Sequence, residues 1–258
     1  MRIIISPAKK MNMDTNSFPC RNLPRFLPRA EELLSLLREK SAAELKSLWK
    51  CNDSILQLNV RRLEEMDLHA QLTPALLAYE GIQYRYMSPG VFTESELEYV
   101  EEHLRILSGF YGVLRPFDGV RPYRLEMQAK LENRNGKGLY TYWGNSISES
   151  VFAETDCVIN LASKEYSLCL SNHLPESARF ITCVFGERRN GKIQEKGTLC
   201  KMARGEMVRY MAENQIRDPE HIRAFDRLGY RYSPADSDQQ TYTFIKEENH
   251  AENWDESP

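Results

Sequence analysis

The amino-acid sequence predicts an α/β (α+β) fold: a single large domain with a mixed sheet flanked by helices. Three observations lead there. Short apolar runs at Arg2–Ile5, Cys157–Leu161 and Phe180–Phe185 read as strands buried on both faces. Stretches with apolar residues at helical spacing lie between them. Two antiparallel signals close the chain: the Asn190-Gly191 turn, and the alternating Tyr230–Tyr232 and Thr241–Ile245 segments. With 258 residues, 41% of them hydrophobic, the chain can bury one large core.

Taken in order, Arg2 to Ile5 is a strand ended by Ser6-Pro7. A proline-bearing loop follows, and Pro28 opens a helix carrying Leu33, Leu34, Leu36 and Leu37. Ser41 and Asp53 are expected to cap two more helices, and Thr73-Pro74 reads as an N-cap with a first-turn proline. Thr93-Glu94-Ser95-Glu96 is a capping box, opening a helix expected to run through Leu104 and Leu107 and stop near Gly109. Residues 109–145 are dense in Gly, Pro, Tyr and Arg, the composition of ordered irregular structure, with a turn at Asn135-Gly136-Lys137. A helix from Asn145 to Ala153 leads into the strand at Cys157–Leu161, after which Ser163 is a candidate N-cap. A further helix is expected from Lys201 to Asn214, and Asp218-Pro219 starts a short one. Residues 1–246 form the expected domain, and 247–258 an acidic, frayed tail.

Composition excludes several classes. No apolar window is long enough to span a membrane, and no export signal is read. The six cysteines form no C-x-x-C pair and read as reduced, small hydrophobes. The five histidines have no zinc-type spacing, so neither a metal nor a cofactor is expected. There is no P-loop, G-x-S-x-G or H-E-x-x-H motif.

Chemistry is expected where the strands end. Ser6-Pro7-Ala8-Lys9-Lys10 and Ala162-Ser163-Lys164-Glu165-Tyr166 each follow a buried strand, and ligands of open α/β sheets bind beyond strand carboxyl ends. If the two strands are parallel neighbours, Ser6, Lys9, Ser163 and Glu165 converge; otherwise the serines are caps and the lysines solvated. The irregular middle supplies Arg115, Tyr123, Arg124 and Glu126, suited to phosphate and base contact or to stapling the segment internally. Gly109-Phe110-Tyr111-Gly112 offers a glycine turn whose backbone N–H groups could hold a phosphate. Lys201 and Arg204 sit at an expected helix start, where cations oppose the dipole.

Six blocks in order then carry a resemblance: Ile5-Ser6-Pro7-Ala8-Lys9; Leu107-Ser108-Gly109 through Pro116; Pro122-Tyr123-Arg124-Leu125-Glu126-Met127; Trp143-Gly144; Asn160-Leu161-Ala162-Ser163 with Glu165-Tyr166; and Ala203-Arg204-Gly205. Together they resemble the YaaA family of bacterial peroxide-stress-resistance proteins, over residues 2 to about 246. The resemblance implies a cytoplasmic protein that protects DNA and lowers free iron. It also implies binding of double-stranded DNA through a basic cleft and a helix-hairpin-helix element. Carried over, Lys9, Arg115, Arg124, Lys201 and Arg204 would be cleft cations, and Gly109 to Gly112 the hairpin. Lys201-Met202 departs from the family's Lys-Lys pair.

Three readings follow. The first is a non-catalytic DNA-binding protein using Ser6, Lys9, Lys10, Gly109, Tyr111, Gly112, Arg115, Tyr123, Arg124, Ser163, Lys201 and Arg204. The second is an enzyme acting on a nucleobase or nucleotide in a Ser6/Lys9/Glu126/Ser163 pocket, with Lys9 or Glu126 as acid or base. The third is direct iron sequestration. The formal charge of −3 does not oppose DNA binding, because residues 233–258 hold seven acids and one base. Residues 179–231 hold twelve bases and seven acids, so the body is mildly basic.

Overall fold

In the computed structural model, which describes residues 1–16 and 18–247, one mixed sheet organises the chain. Its strands are β1 (Arg2–Ile5), β2 (Leu104–Ser108), β3 (Gly112–Leu114), β4 (Cys157–Leu161), β5 (Arg179–Arg189), β6 (Lys192–Gln194), β7 (Tyr230–Tyr232) and β8 (Thr241–Lys246). They lie in the order β7-β8-β5-β4-β1-β2-β3, with β6 paired to β5. The five from β8 to β2 run parallel, and β3, β6 and β7 are antiparallel additions.

The isoleucines of β1 are fully buried, and β4 is buried along its whole length. That explains their unbroken apolar sequence: helices cover both faces of a parallel sheet. The helices used below are α1 (Leu27–Arg38), α2 (Ala42–Trp49), α3 (Asp53–Glu64), α4 (Ile82–Met87), α5 (Glu94–His103), α6 (Ser146–Phe152), α7 (Lys164–Ser171) and α8 (Gly197–Glu213). The capping box expected at Thr93 and the cap expected at Ser41 both form, the latter also as a capping box, each side chain accepting from the third helical N–H. Asn190 and Gly191 both have positive φ, the backbone of the expected tight hairpin turn.

Four boundaries differ from the sequence reading. Asn52, not Asp53, caps α3, its Oδ1 accepting from Ile55 N at 3.0 Å. Thr73-Pro74 is a short strand paired with Gly119-Val120 rather than a cap, and Thr73 Oγ1 accepts from Asp14 N. Helix α5 stops at His103, because Leu104–Ser108 completes the edge of β1 in register Ile3↔Leu104 to Ile5↔Ile106. Helix α8 starts at Gly197, so Lys201 and Arg204 lie inside it and the dipole argument no longer applies. The expected tail falls almost wholly on residues 248–258, outside those described. Among the described residues no helix is long and apolar enough to cross a membrane.

Candidate functional site

Strands β1 and β4 are parallel neighbours, with Ile5 opposite Leu161, so their trailing loops leave the sheet side by side. Ser6 joins them. Its Oγ accepts the backbone N–H of Ser163 at 2.8 Å and donates to Ser163 Oγ at 3.2 Å. Ser163 does occupy the N-cap position of α7, but its side chain caps nothing. Asn160 turns the chain, accepting from Ala162 N at 3.0 Å and donating to Thr182 Oγ1 at 3.2 Å. Beyond these strand ends lies a cavity of about 420 Å³.

The irregular middle forms a second wall. Tyr123 is buried, its hydroxyl bridging Ser108 Oγ at 2.7 Å and Tyr79 Oη at 3.0 Å. Burial pushes the Tyr123 phenol up to about 12. Glu126 divides its carboxylate, Oε2 standing 2.8 Å from Lys9 Nζ and Oε1 2.9 Å from Arg124 Nη2. The second contact is an ion pair without hydrogen-bond alignment, and Oε1 is left with no hydrogen-bond donor. Glu165 lies alongside, and burial, then the neighbouring Glu126 charge, raise its pKa.

Helices α4 and α8 form the third wall. Tyr84 donates to the Ser6 carbonyl oxygen at 3.0 Å, and burial holds its phenol well above the usual tyrosine range. Gly205 lets α8 approach α4 closely: a Cβ there would stand 3.0 Å from Met87 N. That approach brings Lys201 and Arg204 into the cavity lining with Tyr84. Arg204 is 15% exposed and lies 3.6 Å from Glu195.

Three residues that line this cavity each carry a buried polar atom with no hydrogen-bond partner among the described residues: Arg124 Nε, Arg204 Nε and Glu126 Oε1. Such groups are costly unless something supplies the missing bond. Two are donors seeking an acceptor, and one is an acceptor seeking a donor.

Of the residues singled out in the sequence, Ser6, Lys9, Lys10, Tyr123, Arg124, Glu126, Ser163, Lys201 and Arg204 line this cavity. Arg115 does not. It lies beside Glu154, at 3.8 Å, with Arg105, in a separate cleft. Gly109, Tyr111 and Gly112 are corrected too. The segment is the buried turn of a β-hairpin between β2 and β3, not a helix-hairpin-helix. A Cβ on Gly109 would meet the Leu125 carbonyl at 2.6 Å, and Trp143 Nε1 donates to the Gly109 oxygen at 3.0 Å, so no phosphate reaches this turn. Tyr84 and Gln83 escaped the sequence reading; an isolated Gly205 within a helical pattern was the available sign of a close partner. Among the described residues no three His, Cys, Asp or Glu side chains are grouped to hold a metal.

The family model described as peroxide stress protein YaaA matches residues 1–236. A UPF0246 protein from Agathobacter rectalis is 53% identical over 244 residues, covering 95% of this chain and 98% of that one. One from Pediococcus pentosaceus is 49% identical over 250 residues, covering 97% and 100%. Matched over residues 1–236 by the family model and over 95% and 97% of its length by these two relatives, the chain belongs to the YaaA peroxide-stress protein family.

Proposed function

We propose that this peroxide-stress protein works by holding a nucleobase or nucleotide in the cavity beyond β1 and β4. One observation carries the reading: Arg124, Arg204 and Glu126, each with a buried polar atom that lacks a hydrogen-bond partner among the described residues, line one cavity. A ligand satisfying them presents acceptors and a donor together, as the edge of a nucleobase does. A bare phosphate has acceptors only, and the Glu126 carboxylate repels it. The tyrosines around the cavity suit a planar ligand. The Lys9–Glu126 pair places a proton donor and acceptor at the same wall, the acid and base candidates if the ligand is transformed.

Calorimetric titration with the common nucleobases and nucleosides tests this. We expect saturable binding to at least one, abolished by Arg124→Ala and weakened by Glu126→Gln. In cells under peroxide, a strain carrying Arg124→Ala should show more DNA breakage and more free iron than wild type. Full protection by Glu126→Gln would remove the acid–base role.

A second reading, binding of double-stranded DNA, is favoured by the exposed lysines at the cavity mouth, Lys9, Lys10 and Lys201. Lys201 has no ion-pair partner among the described residues, and such cations contact phosphate without reading sequence. It predicts gel-shift affinity that falls steeply with salt and is weakened on every sequence alike by Lys201→Glu. Removing residues 247–258 should strengthen it at low salt.

A further inference from the structure

A second cavity, of about 530 Å³, meets the first at Glu126, which lines both. Its character differs. Four lysines line it, Lys40, Lys50, Lys130 and Lys137, together with Trp49 at the end of α2. Trp49 is 4% exposed, and its indole N–H has no acceptor among the described residues. An indole N–H can only donate, so the missing partner is an acceptor.

The carboxylates here are already engaged. Glu44 accepts from the Ser41 N–H and hydroxyl in the capping box of α2 and lies 3.6 Å from Lys40. Glu132 faces Lys137 at 3.8 Å, and Glu126 is shared between Lys9 and Arg124. Lys50 and Lys130 have no carboxylate within ion-pair distance among the described residues. The ammonium groups of Lys50 and Lys130 and the buried Trp49 N–H are donors, two of them cationic, suited to a phosphate group.

We propose that this lysine-lined cavity is a phosphate subsite, so that the ligand is a nucleoside 5′-phosphate. Its base lies among Arg124, Arg204 and Glu126, and its phosphate lies against Trp49, Lys50 and Lys130. The inference rests on the nucleobase reading of the first cavity. It adds that Glu126 stands at the junction, paired with Lys9 and Arg124, while Trp49, Lys50 and Lys130 hold the phosphate on the far side.

The test is calorimetric titration of the full chain with the four common nucleoside 5′-monophosphates, their nucleosides, inorganic phosphate and a short oligothymidine. We expect one monophosphate to bind about tenfold or more tighter than its nucleoside, the worth of a charge-assisted hydrogen bond. Trp49→Phe, which keeps the packing and removes the N–H, should shrink that ratio, and Lys50→Ala with Lys130→Ala should abolish it. Nucleoside affinity should be unchanged in both, and urea denaturation should confirm that both fold. Equal affinity for nucleoside and monophosphate, or a ratio untouched by these variants, overturns the phosphate subsite alone. No binding of any nucleoside or nucleotide overturns the nucleobase reading and the subsite with it. Binding of oligothymidine through Lys50 and Lys130 without any mononucleotide binding reassigns the cavity to a nucleic-acid strand.

Discussion

Gly205 of α8 packs on the backbone of Gln83 in α4 so closely that even one methyl has no room: a Cβ would lie 3.0 Å from the Gln83 carbonyl carbon and closer still to its oxygen. Both atoms are backbone, so no side chain can swing aside. Gly205→Ala should cost about 1–3 kcal/mol of stability through overpacking. It should also shift Arg204 relative to Tyr84 in the cavity wall. Thermal denaturation should show a Tm several degrees lower, and unchanged melting would mean the helices are free to part.

Ser6 is expected to matter for assembly of the cavity as well as for its chemistry. Its Oγ is the acceptor for the Ser163 N–H at 2.8 Å. Ser6→Ala leaves that amide without its partner and should cost about 1 kcal/mol. Urea denaturation measures this, and ligand affinity should fall in parallel as the two strand ends lose their link.

Asp118 gives the protein an unusual pH response. It accepts from Arg115 N at 2.8 Å, yet burial, more than the neighbouring Glu101 charge, lifts its pKa from 3.8 to about 6. The folded chain therefore holds this proton in a range where the unfolded chain has released it. Stability should fall as pH rises from about 4 to 6, by at most about 3 kcal/mol from this group. Asp118→Asn can keep the Arg115 hydrogen bond without the buried charge. The stability difference between wild type and Asp118→Asn should shift toward the variant across that window and be constant above it. A difference independent of pH would refute the buried-charge explanation.

Cys169, Cys183 and Cys200 should be poor peroxide sensors, whatever the protein does under peroxide. Burial pushes the Cys169 and Cys183 thiols up to about 12 and the Cys200 thiol up to about 11. Peroxide reacts with thiolates, and these groups hold their protons. Mass spectrometry after peroxide treatment should find them unmodified in the native chain and oxidised after denaturation. A sulfenic acid on native Cys183 would contradict this.

The sequence was most legible where a signal was local. β1 and β4 declare themselves because helices cover both their faces, so Ile3–Ile5 and Cys157–Leu161 need no polar alternation. Their ends then point to Ser6 and Ser163. The α5–β2 junction was illegible because Val100, Leu104 and Leu107 keep helical spacing across it, and the open edge of β1 captures Leu104–Ser108 into the sheet. The Gly109–Gly112 turn has the composition of a phosphate loop, but its burial against Leu125 and Trp143 is a long-range fact. Helix α4, only six residues long, owes its position to packing on Gly205, so Tyr84 and Gln83 carried no sign of their place in the cavity wall.

The position of β1 in the middle of the sheet has a consequence for how the chain is made. Its neighbours begin at Leu104 and Cys157, so this strand waits for about a hundred further residues before it can pair at all, and for about fifty more before both its edges are covered. At ordinary translation speeds, about 5–20 residues per second, the nascent Ile3-Ile4-Ile5 segment stays unpaired for roughly 5–20 s on the ribosome. A three-isoleucine edge exposed that long invites pairing with other chains. Slowing translation between codons 104 and 161 should therefore lower the soluble yield more than slowing it after codon 200, by which point β1 has both its partners.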